Sequence, residues 1–382
     1  LNTCMKLNTL DPRWDNQIIE YDTTKHNWRE YFESAVKEKY PQIQSLEQTH
    51  LAMKPEELND FAWNIQRICK SEEFARRLDH FFGEVIAPKL DFEDFMIQDV
   101  VGLRMVIPNQ ANHGRTLNFH QGVWYGHGPG MYSVWTPLTE AYDSNSMQIL
   151  PWKESRDITQ QTYDEKWSYQ RIQDECLKHS IPCNTSFGQS WLFQQGHIHG
   201  NVNNDTDITR WSFDTRALVK GGSYSRRRPG GYFRLFEEYR KPLSNIDTSR
   251  NWINYIDMNS RFCETTPFFV TSMVMDQFCK DQGIVPVDYP LELSFCNWEP
   301  MLEEFILDKH ITGIVIPSLL GMTADKERRD ELLELALTNN THIIFADERI
   351  LLDNREELSY INKIFEYIND EADPDLLLGH TR

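Results

Sequence analysis

The spacing of apolar and polar positions changes character three times along the chain. Near the start, residues 27–40 and 55–82 carry apolar side chains at helical spacing, and in the second stretch Leu58, Phe61, Ala62, Ile65 and Ile68 mark one face. Pro55 and the acidic residues after it open that stretch as a helix start should. Helices are therefore predicted over both stretches.

From about 96 to 218 the period shortens. The runs FMIQDVVGLRMVIP, TLNFHQGVWYG, MYSVWTPL, MQILPW, SWLFQQGHIHG and TRWSFDTRAL are β-prone and are separated by turn residues. That pattern predicts an all-β sandwich or jelly roll. Residues 156–182 interrupt it with a polar, helical insert, and residues 219–250, rich in Gly, Arg, Pro and Ser, read as a long loop. From about 266 the pattern changes again. PFFVTSMV, IVPVDY, ITGIVIPSL and THIIFADE are strand candidates, alternating with or followed by helical MVMDQFCKDQ, EPMLEEFILD, ADKERRDELLELALT and NREELSYINKIFEYI. Strands alternating with helices predict a parallel sheet covered on both faces.

The expected class is thus mixed α+β. Residues 1–250 form one domain with N-terminal helices and a β core over about 95–218, residues 251–265 a linker, and residues 266–382 a small α/β domain. A length of 382 residues accommodates two domains, and 40% hydrophobic with 25% charged residues is ordinary globular composition.

Charge narrows the function. A net charge of −19 argues against non-specific nucleic-acid binding, which needs Lys and Arg against phosphates. One local exception, Arg226-Arg227-Arg228, could meet an anion but reads first as a solvated loop between glycines. Seven cysteines without any CxxC pair argue against a zinc cluster and fit free thiols in a reducing cytoplasm. No apolar run reaches membrane-spanning length and the N-terminus carries no signal-peptide pattern, so a cytoplasmic protein without a membrane partner is expected. The acidic surface and the aromatic content are compatible with a homodimer.

Candidate chemistry concentrates in HGNVNNDTDITR, residues 199–210. Here His199 and Arg210 flank a polar segment that reads as a turn. Such a turn would bring a strand back with Arg210 beside His199. A neutral imidazole suits a transition metal, and a guanidinium fork suits a dicarboxylate.

His199-Gly200-Asn201, followed by Asn204, Thr206 and Arg210, resembles the distal half of the phytanoyl-CoA dioxygenase signature. The earlier Phe119-His120-Gln121-Gly122 resembles that family's His-Gln-Asp strand, YSVWTPLTEA its Trp-containing strand, and NSMQILPWKES its Asn-Gly-Leu region. The resemblance covers roughly residues 95–218. It implies a double-stranded β-helix (jelly-roll, cupin-like) oxygenase domain using Fe(II), 2-oxoglutarate and O2. It further implies His120 and His199 as iron ligands, Arg210 on the distal carboxylate of 2-oxoglutarate, and Asn201 positioning the co-substrate. Thr206, Trp135 and Arg104 are further candidates around the co-substrate, Trp135 as pocket wall and Arg104 as a second contact.

Gly122 departs from the pattern, because the family has a carboxylate there. Its absence leaves three readings: an oxygenase whose third ligand is water or another carboxylate, a halogenase with chloride in the vacancy, or a non-catalytic sugar-binding or scaffold protein. Residues 266–382, through FFVTSMVMDQFCKDQGI, ITGIVIPSLLGM and HIIFADERI, resemble a small domain of bacterial carbohydrate-biosynthesis clusters, which implies a sugar, nucleotide sugar or saccharide substrate. Their strand–helix order is also similar to the resolvase catalytic fold. Ser272, Ser318, Asp347 and Glu348 are expected at C-terminal strand ends, where open α/β sheets place ligands.

Overall fold

The structure is a computed structural model that describes residues 17–90, 94–99, 101–109, 118–128, 131–220, 224, 228–236, 243, 246–293 and 298–368. Arg226, Arg227, Cys4 and Cys296 lie outside the described residues. The chain divides into two compact units on either side of residues 239/240.

In the first unit the strands are β1 (Gln17–Glu20), β2 (Phe95–Gln98), β3 (Gly102–Val106), β4 (Met131–Pro137), β5 (Gln148–Ile149), β6 (Ile181–Pro182), β7 (Gln189–Gln194), β8 (His199–Gly200), β9 (Arg210–Val219) and β10 (Phe233–Leu235). Among the described residues they form a seven-stranded sheet in the order β1-β7-β4-β9-β2-β10, with β3 also paired to β9, and a three-stranded sheet β6-β5-β8. Every pairing in both sheets is antiparallel.

Alternation along β9 gives the large sheet its two faces. Trp211, Phe213, Ala217 and Val219 point into a core with the N-terminal helices, together with Tyr132, Val134 and Leu192. The helix Trp28–Lys39 meets them with Trp28, Phe32 and Val36, one turn apart. Phe213 packs edge-on against Trp28 at 5.0 Å and Phe74 at 6.2 Å between ring centroids. Trp211 is fully buried and donates its indole N–H to Leu46 O at 2.9 Å. The other face of the sheet packs on the small one: Trp135, Trp191 and Phe193 interlock with Met147, Ile149 and Cys183.

Several expectations need correction. The helix predicted over 55–82 is broken into Pro55–Glu57, Leu58–Gln66, Arg67–Lys70 and Glu72–Phe81. The last break is Ser71, which is extended and whose hydroxyl accepts from Phe74 N at 3.1 Å, capping a new helix. TLNFHQGVWYG holds no long strand among its described residues; it pairs only at His120 and then turns into the 3₁₀ segment Gly122–Tyr125. Within the expected 219–250 loop lies β10. The polar insert holds the expected helices, Trp152–Glu165 and Tyr169–His179.

In the second unit, β11 (Trp252–Asn254), β12 (Gly313–Ile316) and β13 (His342–Phe345) run parallel, and β14 (Ile350–Leu352) closes the sheet antiparallel to β13. The sheet is therefore mixed rather than purely parallel. Four residues join β13 to β14, with Arg349 at φ 56°, and so short a link permits only a hairpin. Trp252–Asn254 forms a strand where a linker was expected. PFFVTSMV contributes not a strand but the start of the helix Phe268–Gln282, so Ser272 sits in a helix. Thr271, Met275, Phe278 and Cys279 are its buried face, and Gly283, at φ 72°, stops it. IVPVDY forms no strand and makes a single bridge, from Asp288 to Ile253.

Candidate active site

His120 and His199 come from distant segments and form one antiparallel bridge, each N–H donating to the other's carbonyl at 2.9 Å. Their imidazoles lie 4.4 Å apart between centroids. His120 Nδ1 is 2.8 Å from Asn118 O, and His199 Nδ1 is 3.0 Å from His197 O. A carbonyl can only accept, so Nδ1 carries the proton in both rings and Nε2 keeps its lone pair. Burial lowers the pKa of both, and His120 adds to the depression of His199, so both are neutral near pH 7. Phe193 packs against His199 and Tyr125 against His120. Gly200 permits the bridge: a Cβ there would lie 2.8 Å from Phe119 N.

The polar side of β9 supplies Arg210, Ser212, Asp214 and Arg216 in alternation. Arg210 is 1% exposed. It donates to Asn145 O at 3.0 Å, Ser212 Oγ at 2.5 Å and Asn201 Oδ1 at 2.5 Å. Among the described residues no carboxylate pairs with it. Burial, with the repulsion of Arg104, brings its pKa down to about 9. Trp135 lies under its guanidinium at 5.4 Å and donates its own N–H to Ser212 Oγ at 3.0 Å.

The segment 201–207 links β8 in the small sheet to β9 in the large one, so the two strands it connects do not pair with each other. Asn204 ties it to β3 by donating to Val106 O at 3.0 Å, and Thr206 Oγ1 donates to Asn204 Oδ1 at 2.7 Å. Thr206 thus holds the loop, and it also accepts from Asn145 Nδ2 at 3.4 Å. Arg104 donates from Nε to Asp214 Oδ1 at 3.0 Å, and Arg216 donates to Asp214 Oδ2 at 3.3 Å. Against the pull of burial, these two guanidiniums hold the Asp214 carboxyl below its usual range. His197 has its Nδ1 3.0 Å from Leu150 O, and its ring packs against Trp152 and Phe193.

The structure thus joins His120 to His199, and Arg210 to Asn201 and Trp135, with Phe193 packed between the two groups; Arg104 and Arg216 share Asp214. Two members escaped the sequence: Asp214, whose signal was the polar alternation in RWSFDTR, and Gln195. A Cβ on Gly122 would meet Gln195 Oε1 at 1.8 Å. No described Asp, Glu or Cys joins the two histidines as a third ligand. Among the described residues, the His/Cys/Asp/Glu cluster tight enough for a metal is His26, His80 and Glu84, on the helical side of the unit.

In the second unit, Ser318 and Glu348 follow β12 and β13. Ser318 Oγ donates to Glu348 Oε1 at 2.6 Å and Leu319 N to Glu348 Oε2 at 3.0 Å. Burial, with Asp347 nearby, lifts Glu348 to about 8. Asp347 itself is exposed.

No protein-family model matches the chain. Over 125 residues it is 27% identical to the streptomycin biosynthesis protein StrG of Streptomyces griseus, a match covering 32% of this chain and 47% of that one. The chain therefore spans about half the length of this curated relative. Among solved structures it resembles EctD from S. alaskensis with bound Fe, at 13% identity over 63% of this chain and 88% of that one, TM-score 0.36. It also resembles the non-heme monooxygenase ThoJ as a Ni complex, at 15% identity over 62% and 89%, TM-score 0.33. A third is SnoN, the non-heme alpha ketoglutarate dependent epimerase from nogalamycin biosynthesis, at 10% identity over 59% and 86%, TM-score 0.31. No helix among the described residues is long and apolar enough to cross a membrane.

Proposed function

We propose that the first unit is an Fe(II)- and 2-oxoglutarate-dependent oxygenase of the phytanoyl-CoA dioxygenase type, its two-sheet sandwich being that family's double-stranded β-helix. The observation that carries this reading is Arg210, a buried guanidinium with no carboxylate partner among the described residues, linked by the packing of Trp135 and Phe193 to two neutral imidazoles whose Nε2 atoms are free to ligate. A buried cation is costly unless an anion or several hydrogen bonds compensate it. Here three neutral acceptors hold its position while its charge stays unmatched, which suits a dicarboxylate ligand.

The donor set fits iron. Imidazole nitrogen is a good ligand for it, and the carbonyls on Nδ1 fix ring orientation and tautomer as second-sphere partners do. Bound iron, with 2-oxoglutarate and O2, supplies the oxidation that hydroxylates a C–H bond while the co-substrate becomes succinate and CO2. The chain's own residues do the positioning. Arg210 holds the carboxylate remote from the keto acid, and Asn201 and Ser212 keep its fork aimed. Trp135 walls the pocket. The Arg104–Asp214–Arg216 triplet, two cations to one anion, keeps the surrounding potential favourable to an anion. The small-molecule substrate we assign is a sugar, nucleotide sugar or saccharide. It is supported by the likeness of the 266–382 segments to a carbohydrate-cluster domain, and the biosynthetic relative fits a small-molecule substrate.

The test is anaerobic titration of Fe(II) and 2-oxoglutarate into the protein, following the weak visible charge-transfer absorption. A band that needs both and vanishes in His199→Ala supports the assignment. If no band forms under any condition the oxygenase reading falls, and ligand binding without iron becomes the function to pursue.

A further inference from the structure

The space that Gly122 leaves beside His120 is filled. A Cβ added there would lie 1.8 Å from Gln195 Oε1 and 2.8 Å from Gln195 Cδ. In an aspartate the carboxyl carbon stands about 1.5 Å from Cβ and the oxygens about 2.4 Å. The amide oxygen of Gln195 therefore lies as near that Cβ position as the carboxyl group of an aspartate at 122 would. Gln195 is fully buried and follows β7, on the strand face that carries Phe193 against His199. Its Nε2 donates to Ser133 Oγ at 2.6 Å, which turns Oε1 toward the gap, and Oε1 has no hydrogen-bond partner. A buried acceptor without a partner is rare and costly in a folded protein. Facing a cation removes that cost.

We propose that Gln195 supplies the third protein donor of the metal site through its carboxamide oxygen, giving a centre of two histidines and one amide in place of two histidines and one carboxylate. This rests on the reading of His120 and His199 as iron ligands. Carbonyl oxygens are hard donors that divalent metals accept. The exchange has two chemical consequences. A neutral donor leaves the bound metal with one more unit of positive charge than a carboxylate would, which a dianionic co-substrate offsets. The amide also takes the position in which chloride would bind if Gly122 left it open, so the site hydroxylates and does not halogenate.

Co(II) binding without turnover tests this, with affinity from calorimetry and ligand geometry from the visible absorption, in the full chain. The nearly isosteric Gln195→Glu should bind Co(II) at least tenfold tighter than wild type, because it restores a charged donor. Gln195→Ala should bind roughly 10- to 100-fold more weakly, the scale of losing a group that supports a metal. Its spectrum should also become sensitive to chloride, which leaves wild type unchanged. Adding Gly122→Asp to Gln195→Ala should recover affinity, because the clash with Oε1 is gone. Gly122→Asp alone should not gain any. The proposal is overturned if Q195E and Q195A both bind Co(II) as wild type does, or if chloride alters the wild-type spectrum. His199→Ala separates the two levels. If it loses the metal while Gln195→Ala keeps it, only the amide ligand is wrong; if wild type binds no Co(II), the iron reading falls with it.

Discussion

His120 and His199 are joined by two reciprocal backbone hydrogen bonds of 2.9 Å, so the two imidazoles are placed by one strand pairing. Metal affinity should follow that pairing. His120→Ala and His199→Ala should each lower Fe(II) or Co(II) affinity by more than the roughly 10- to 100-fold typical of losing a supporting group. His197→Ala should leave affinity near wild type, since that ring packs against Trp152 and Phe193. Calorimetric titration of the three variants would show it; an unchanged His199→Ala would remove the ring from the site.

Arg210 predicts the cost of losing a fork. Arg210→Lys keeps a charge but cannot reach Asn145 O, Ser212 Oγ and Asn201 Oδ1 together. Binding of 2-oxoglutarate should weaken by about 2–5 kcal/mol, the range for truncating one member of a buried charged pair. Metal affinity in the absence of co-substrate should stay close to wild type. Equilibrium binding of each ligand separates the two.

Phe213 and Asp214 are neighbours on β9 that face opposite ways, so they should fail differently. Phe213→Ala removes a fully buried ring and should cost about 3–5 kcal/mol of stability, read as a lower urea midpoint, with ligand affinities retained at low denaturant. Asp214→Asn leaves Arg104 and Arg216 without their shared anion and should change affinity for anionic ligands far more than a neutral core change does. Equal effects of the two on ligand binding would contradict the division of the strand.

A pH effect follows in the second unit. Burial, then the charge of Asp257, raises Glu299 to about 8, while one of its oxygens accepts from Thr323 N and the other has no partner. The folded pKa lies above the unfolded one, so the folded unit holds the extra proton between them. Its contribution is complete below the usual carboxyl range and is lost as pH rises through about 8, with a slope of up to ~1.4 kcal/mol per pH unit. Glu299→Gln should flatten that decline in urea midpoints measured from pH 5 to 8. A variant with the wild-type slope would show that Glu299 is ionised when folded.

What the sequence disclosed was the local and the periodic. The β-rich middle, the helical insert, and β12 and β13 were readable, because each is written in alternation or in a short motif. The first strand of the second unit was not. Trp252 and Ile253 are buried, but a strand this short, set among Asn and Asp, carries too little pattern to stand out. Phe268, Phe269 and Val270 misled in the opposite way: aromatic and β-branched residues favour strands in isolation. Here the partners of Thr271, Met275 and Phe278 in the core decide for a helix. Gln195 was invisible for a different reason. Its meaning depends on Gly122, which is far away in sequence, and a close approach of that kind exists only once the strands have paired.

Strand β9 carries apolar side chains toward the helices and Arg210, Ser212, Asp214 and Arg216 toward the opposite face, in strict turn. A single inserted or deleted residue within it would put Phe213 on the polar face and Asp214 against the helices at one stroke. The strand therefore tolerates substitution one face at a time but not a change of length. Descendants of this chain can be expected to diversify their chemistry by exchanging residues 210, 212, 214 and 216 in place, and to accept insertions only in the connections on either side.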